Sequence, residues 1–190
     1  MHPTDPDEHR LFHRARLGDV EAFGALVRLH QGRIRGFLRR LCRDHALADD
    51  LAQECFLQAW RRIADCQEAA RLNAWLCSIA YRCFLQALRR ERRDASAALL
   101  EARSERHEDA QEDGGRSARE QRALERAMQS LKPEEAAAIT LHVSLGYSHG
   151  EVAGILAVPL GTVKSLIARG LPRLRAALNK ALEGDHHEDH

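Results

Sequence analysis

Two groups of polar side chains have the types and spacing to bind something. From Asp49 to Trp60 the chain reads Asp-Asp-Leu-Ala-Gln-Glu-Cys-Phe-Leu-Gln-Ala-Trp. On a helix, Leu51, Cys55, Phe56 and Ala59 recur at core-facing spacing. Asp49, Asp50, Gln53, Glu54 and Gln58 then lie on or beside the opposite face. Such an acidic, amide-rich face is usually just solvated. The second group lies between Ser148 and Gly170, where two short helical patterns flank the turn Val158-Pro159-Leu160-Gly161. That is the spacing of a helix-turn-helix, whose first helix braces the second so that its N-terminal half can enter a major groove. Thr162, Lys164, Ser165 and Arg169 are the side chains there that would reach bases or phosphates. A plain helical hairpin is the alternative.

Cysteine and histidine suggest metal or redox chemistry, but weakly. Cys42-x-x-His45 supplies two potential ligands, which do not complete a structural zinc site. The tail His186-His187-Glu188-Asp189-His190 would hold metal only loosely. Cys66 and Cys77 flank a polar loop, and a redox pair there has little support. The expectation is no metal and no cofactor. A nucleophile elbow, a phosphate loop and a zinc-protease motif are all missing, so no catalytic residue is assigned.

These groups sit on a chain of 190 residues, 44% hydrophobic but only 5% aromatic, with a formal net charge of +1. Ala, Leu, Arg and Glu dominate and no alternating β-branched run occurs, so the expected class is all-α. Bulk charge says nothing about nucleic acid. Its distribution says more: Arg28, Arg33, Arg35, Arg39, Arg40 and Arg43 cluster early, and Arg89, Arg90, Arg92 and Arg93 cluster again. Five cysteines, an odd number with several on apolar helical positions, suit a reducing compartment. No signal peptide or membrane-spanning run is read, so the expected location is cytoplasmic, without membrane insertion.

The pattern divides the chain as 1–18, a loose polar arm; 19–93, a helical domain; 94–119, a flexible linker; 120–182, a second helical domain; and 183–190, a His/acidic tail. Asp19 and Asp44 are read as N-caps. A loop is expected over Ala64 to Asn73, and a third helix over about Ala74 to Arg92. Lys132-Pro133-Glu134-Glu135 starts a helix that stops at Gly146, and Ser148 to Glu151 has the spacing of a capping box.

Asp-Asp-Leu-x-Gln-Glu-x-Phe-x-x-x-Trp resembles the polymerase-binding helix of the sigma-70 family, in its extracytoplasmic-function branch. Gly161-Thr162-Val163-Lys164-Ser165 is similar to the opening of that branch's recognition helix. Leu145-Gly146-Tyr147-Ser148…Glu151-Val152-Ala153 matches the stretch before it. The resemblance runs from about Asp19 to Leu182 and implies a transcription initiation factor. Asp49, Asp50, Leu51, Gln53, Glu54 and Phe56 fall at positions that grip the clamp helices of core RNA polymerase. Arg61, Arg62, Asn73, Trp75, Tyr81, Arg82, Arg89 and Arg90 fall on the −10 side, where a flipped non-template base and nearby phosphates are held. Ser148, Thr162, Lys164, Ser165, Arg169 and Arg173 fall on the −35 side, in a domain that also meets the polymerase flap. Promoter DNA and an anti-sigma protein join the implied partners, and the free chain is expected to be monomeric.

Three departures qualify the resemblance. Arg71-Leu72-Asn73-Ala74 replaces the usual Gly and aromatic before Trp-Leu. Leu166 stands where Arg usually follows Lys-Ser. Gly170-Leu171-Pro172 interrupts a helix that the family continues, so a kink or break is expected, with Pro172 opening a last helix. Together they predict weaker or altered −35 reading. Two rivals remain: a stand-alone helix-turn-helix regulator, and a protein that sequesters polymerase without opening promoters.

Overall fold

The computed structural model describes residues 6–42, 44–98 and 116–184. The expectations for most of the linker (99–115) and for the tail beyond 184 fall outside the described residues. Within them the regular structure is helical: α1 (Pro6–Arg16), α2 (Val20–Arg39), α3 (His45–Arg62), α4 (Leu72–Ala98), α5 (Arg116–Gln129), α6 (Pro133–Ile139), α7 (His149–Leu156) and α8 (Leu160–Gly184).

Both expected caps are present. Asp19 accepts the Ala22 N–H at 3.0 Å, and Asp44 accepts that of Ala46 at 2.8 Å. The Ala22 N–H, and then Arg14, hold the Asp19 carboxyl below the usual carboxylate range. From these starts α2, α3 and α4 close one core, built on Leu26, Ile34, Phe37 and Leu38, on Leu51, Cys55 and Ala59, and on Leu72, Leu76, Ile79 and Phe84. The loop before α4 is tightened by two 3₁₀ turns, Ile63–Asp65 and Ala69–Arg71, and Asn73 lies within the first turn of α4.

The loose arm is corrected. Residues Pro6–Arg16 form α1, packed along α2. The stretch reads as polar because its apolar face is narrow, yet Phe12 and Ala15 on that face are fully buried. Beside this face, Glu8 Oε1 lies 3.2 Å from Nε2 of the buried His30.

In the second half, α5 and α6 both pack along α8. Pro133 occupies the first turn of α6, as expected. The single helix expected up to Gly146 is instead α6 followed by a π-helical turn, Thr140–Ser144, closed by Leu145 N–H on Thr140 O at 3.0 Å. Leu141 in that turn is fully buried, whereas Val143, two residues on and on the opposite side, is 60% exposed. Gly146 ends the segment at φ +76°.

Of the kink or break expected at Gly170 to Pro172, the break and the new helix start at Pro172 are corrected, because α8 continues from Leu160 to Gly184. Pro172 still deprives the Ala168 carbonyl of its helical donor. Ala168 and Pro172 are both exposed, so water can satisfy that carbonyl. Leu171 and Leu174, on the other face, pack against the cluster of Met128, Leu131, Ala136 and Ile139 and hold the helix through the proline.

The halves touch. α7 lies against α4, Leu41 reaches the Met128 cluster, and His45 Nε2 stands 3.6 Å from Glu125 Oε2.

Burial pushes His30 below the usual histidine range, against the opposing pull of Glu8 and Asn73. The unfolded chain, with a histidine pKa of about 6.5, takes up that proton more readily. Stability should therefore fall as pH drops through about 6.5. Thermal melts of wild type and His30→Gln, between about pH 7.5 and 5.5, should show the smaller loss in the variant. Equal losses would mean that His30 is not the responsible group.

Candidate functional site

The Asp49-to-Trp60 pattern lies on α3 as the spacing required, with Leu51, Cys55 and Ala59 buried and Phe56 half-buried against the core. Its acidic residues separate into two kinds. Asp49 is drawn to α2: Arg39 Nη2 donates to both of its oxygens at 3.2 Å, and Arg35 Nε lies 3.8 Å away. Asp50, Gln53 and Glu54 remain on the exposed face. Gln58 donates to Glu54 at 2.8 Å, which fixes that carboxylate along the helix. Leu47 and Leu57, 37% and 53% exposed, share this face with Asp50 and Glu54. The sequence reading missed them, although they stand three residues from Asp50 and from Glu54. The face is thus an acidic strip with apolar ends, carried on a rigid helix.

A cleft of about 770 Å³ opens beside the loop before α4. Asn73, Trp75 and Ser78 line it from α4, with Arg33 from α2. Leu145, Tyr147, Glu151 and Ile155 line it from the second half. Asn73 Oδ1 is buried without a hydrogen-bond partner among the described residues. Arg82, one turn after Ser78, is exposed and donates to Ser78 Oγ at 3.3 Å. Tyr81 is only 4% exposed and stacks on Phe84, 6.5 Å between ring centroids. Burial, then the neighbouring Glu134 charge, pushes its phenol up to about 12. Arg61 and Arg62 are exposed at the end of α3, the latter paired with Asp65 at 2.9 Å. Towards the other end of α4, Arg89 and Arg90 join Gln86, Arg92 and Arg93 around a shallow, strongly basic depression.

α7 and α8 make the expected helix-turn-helix, their axes meeting at 104°. Ser148 caps α7 through the full box: its Oγ accepts the Glu151 N–H at 3.3 Å, and its own N–H donates to Glu151 Oε2 at 2.8 Å. The Ser148 hydroxyl, donating to Glu151 Oε2 at 2.7 Å, and then the Ser148 N–H hold the Glu151 carboxyl below its usual range. Ala157 makes the turn at φ 55°, a strained conformation for a residue with a Cβ. Thr162, Lys164, Ser165 and Arg169 occupy the exposed face of α8, while Val163, Leu166 and Ile167 face the core. Ser165 Oγ donates to Gly161 O at 3.0 Å, and Arg169 Nε to Ser165 O at 3.2 Å.

Both halves have counterparts among known proteins. The model of sigma-70 region 2 matches residues 26–94, and that of sigma-70 region 4 matches residues 121–174. The sigma factor CarQ of Myxococcus xanthus is 32% identical over 88% of this chain and 95% of its own length. The extracytoplasmic-function sigma factor SigM of Mycobacterium tuberculosis is 32% identical over 85% of this chain and 79% of its own. The chain belongs to the sigma-70 family. Its relatives place it in the extracytoplasmic-function branch. The fold agrees: the sigma factor RpoE of Bartonella quintana, solved with the anti-sigma factor NepR, aligns at TM-score 0.67 and 26% identity over 84% of this chain and 98% of that one.

In this sigma factor the departures from the family pattern take a structural meaning. Leu166 is 8% exposed and packed with Val163 and Ile167, so position 166 points into the domain, away from Thr162, Lys164 and Ser165. Gly170 sits where a Cβ would come within 2.7 Å of Ile139 Cδ1 and 3.2 Å of Glu135 Cβ, so its missing side chain lets α8 pass close to α6. Arg173 extends back to Glu135, Nη1 standing 3.2 Å from Oε2. Glu135, with its side chain 3% exposed, also accepts the Lys132 N–H at 3.2 Å. One buried carboxylate therefore caps α6 and fixes the basic helix to it.

The cysteines do not present reactive thiols. All five are buried and free. Burial pushes Cys42 up to about 12, and Cys77 and Cys83 up to about 11. Cys66 Sγ turns to Glu68 O and Cys77 Sγ to Tyr147, so the pair considered for redox chemistry has separate partners. Cys42 is in the core and His45 is exposed, on opposite sides of a cap. No single described helix is long and apolar enough to cross a membrane.

Glu135→Ala should lower stability by about 1–3 kcal/mol in urea titrations, since it removes a cap and the partner of Arg173 together. A change within about 0.5 kcal/mol would show that the pair contributes nothing.

Proposed function

We propose that the exposed faces of this initiation factor divide the work of selecting and opening promoters. Residues 19–93 act as sigma domain 2 and 120–182 as sigma domain 4. Asp50, Gln53 and Glu54 meet the clamp helices of core RNA polymerase directly, while Leu51 and Phe56 hold α3 in place beneath them. Asp49 contributes through the Arg39 pair that orients α3 against α2. Leu47 and Leu57 add apolar contact at the two ends of the strip.

On the −10 side, Asn73 and Trp75 offer an amide and an aromatic wall to an unpaired base, with Tyr81 behind them. Ring stacking of about 1–3 kcal/mol per base helps offset strand separation. Arg61, Arg62, Arg82, Arg89 and Arg90 hold phosphates along the same path. On the −35 side, Thr162, Lys164, Ser165 and Arg169 enter the major groove from the exposed face of α8. Ser148 positions α7, and Arg173 braces α8 through Glu135. Chemistry stays with the polymerase, and the factor supplies specificity in the cytoplasm where the polymerase works. An anti-sigma protein covering these same faces is a further partner.

The observation that carries this reading is the acidic strip of α3, set on a fully packed three-helix core, in the same chain as an exposed basic recognition helix. A stand-alone regulator has no use for that strip.

Asp50→Ala/Glu54→Ala should keep the melting temperature and weaken binding to purified core polymerase by roughly 100-fold or more, about 1.4 kcal/mol per tenfold. Undiminished binding by the folded double variant would remove the strip from the interface.

A further inference from the structure

The loop assigned above to the −10 strand is held from the side by α1. Arg16, the last residue of α1, lies over the Phe12 ring at 5.8 Å and donates from Nη2 to Ala64 O at 3.3 Å. α1 also packs against both 3₁₀ turns of the loop. At the far end of the loop stands Asn73, one of the residues at which this chain departs from the family pattern. There three helices bring polar groups to one spot: Glu8 from α1, His30 from α2 and Asn73 from α4. Glu8 Oε1 lies 3.2 Å from Nε2 of His30, which is buried. The Asn73 amide draws on the same imidazole, and Arg33 is the other charge that faces it.

Asn73 is half-buried, and its inward atom is the acceptor Oδ1. Oδ1 and His30 Nε2 are both buried, and neither completes a hydrogen bond of good geometry among the described residues. Yet the amide opposes the loss of the His30 proton, so acceptor and donor attract. A carboxylate only accepts, so the imidazole nitrogen beside Glu8 is the one that carries hydrogen. An amide has two ends of opposite character, and half a turn exchanges donor for acceptor. An amide that reads a base is therefore selective only if something decides which end faces out.

We propose that His30, steadied by Glu8 of α1, is a positioning residue that keeps Asn73 Oδ1 inward and presents Nδ2, a donor, to the unpaired −10 base. The pocket then favours a base that offers an acceptor at that point and rejects one that offers a donor. α1 thereby takes part in promoter selectivity without touching DNA. This rests on the assignment of Asn73 to the −10 strand.

The test uses the full chain bound to core polymerase and a random-sequence pool of single-stranded DNA. Bound strands are sequenced, and base enrichment is read at each position of the selected motif. Wild type should enrich one base at the position that Asn73 reads. His30→Leu and Glu8→Ala should each lower that enrichment by roughly three- to tenfold, the worth of one oriented hydrogen bond, and spare the other positions. His30→Gln, whose amide nitrogen can stand in for Nε2, should retain it. General damage to the fold would instead weaken every position together, with no rescue by Gln. Circular dichroism checks folding, and Glu8→Ala decides if His30→Leu loses helix. Wild-type enrichment by both variants would overturn the positioning role, as would equal losses at every position. Asn73→Ala tests the underlying assignment on its own: selection of an unchanged motif by that variant removes the −10 reading of Asn73, whatever the His30 results are.

Discussion

The packing of α4 is the constraint on which everything else depends. Its 27 residues carry Leu72, Leu76, Ile79 and Cys83 toward α2 and α3, and Cys77, Tyr81 and Phe84 around the same stretch are buried too. A helix apolar over so much of its circumference needs cover on more than one side. α2 and α3 supply one cover and α7 the other. The acidic strip of α3 points outward because Cys55 and Ala59 are committed inward. The basic end of α4 is exposed because the packing stops before Arg89. In the same way, buried Val163, Leu166 and Ile167 leave Thr162, Lys164 and Ser165 facing out.

Segregated charge does what net charge does not. The chain is almost neutral, +1 over 190 residues. Yet α3 presents Asp50 and Glu54, α4 ends in a run of arginines, and α8 presents Lys164 and Arg169. Local fields of opposite sign let one small molecule address a protein partner and a polyanion at once. Several charges are spent internally: Asp49 on Arg39, and Glu135 on Arg173. Those pairs fix the angles at which the exposed charges are displayed.

Much of this was legible in the sequence. The caps at Asp19, Asp44 and Ser148 were readable because a capping side chain and the helix it starts are local to one another. The buried positions of α3 followed from spacing alone. What the sequence hid was tertiary. α1 looked like an arm because Phe12 and Ala15 make a core face only when α2 is beside them. Pro172 looked like a break because the contacts that carry α8 past it come from α5 and α6, some forty residues upstream. The π-helical turn at Thr140 leaves no sequence mark. Of the proposed site residues, Asp49, Tyr81 and Arg173 had internal partners or burial that no spacing argument reveals.

The central claim is that this chain carries core polymerase to particular promoters, using the strip of α3 to hold it. The most direct measurement sequences the 5′ ends of transcripts made from fragmented genomic DNA by core polymerase with the purified chain, beside core alone and core with Asp50→Ala/Glu54→Ala. The account predicts discrete new starts that share upstream −35 and −10 elements and vanish with the double variant. New starts that persist with the variant would contradict the role of the strip, and no new starts despite stable core binding would contradict initiation itself.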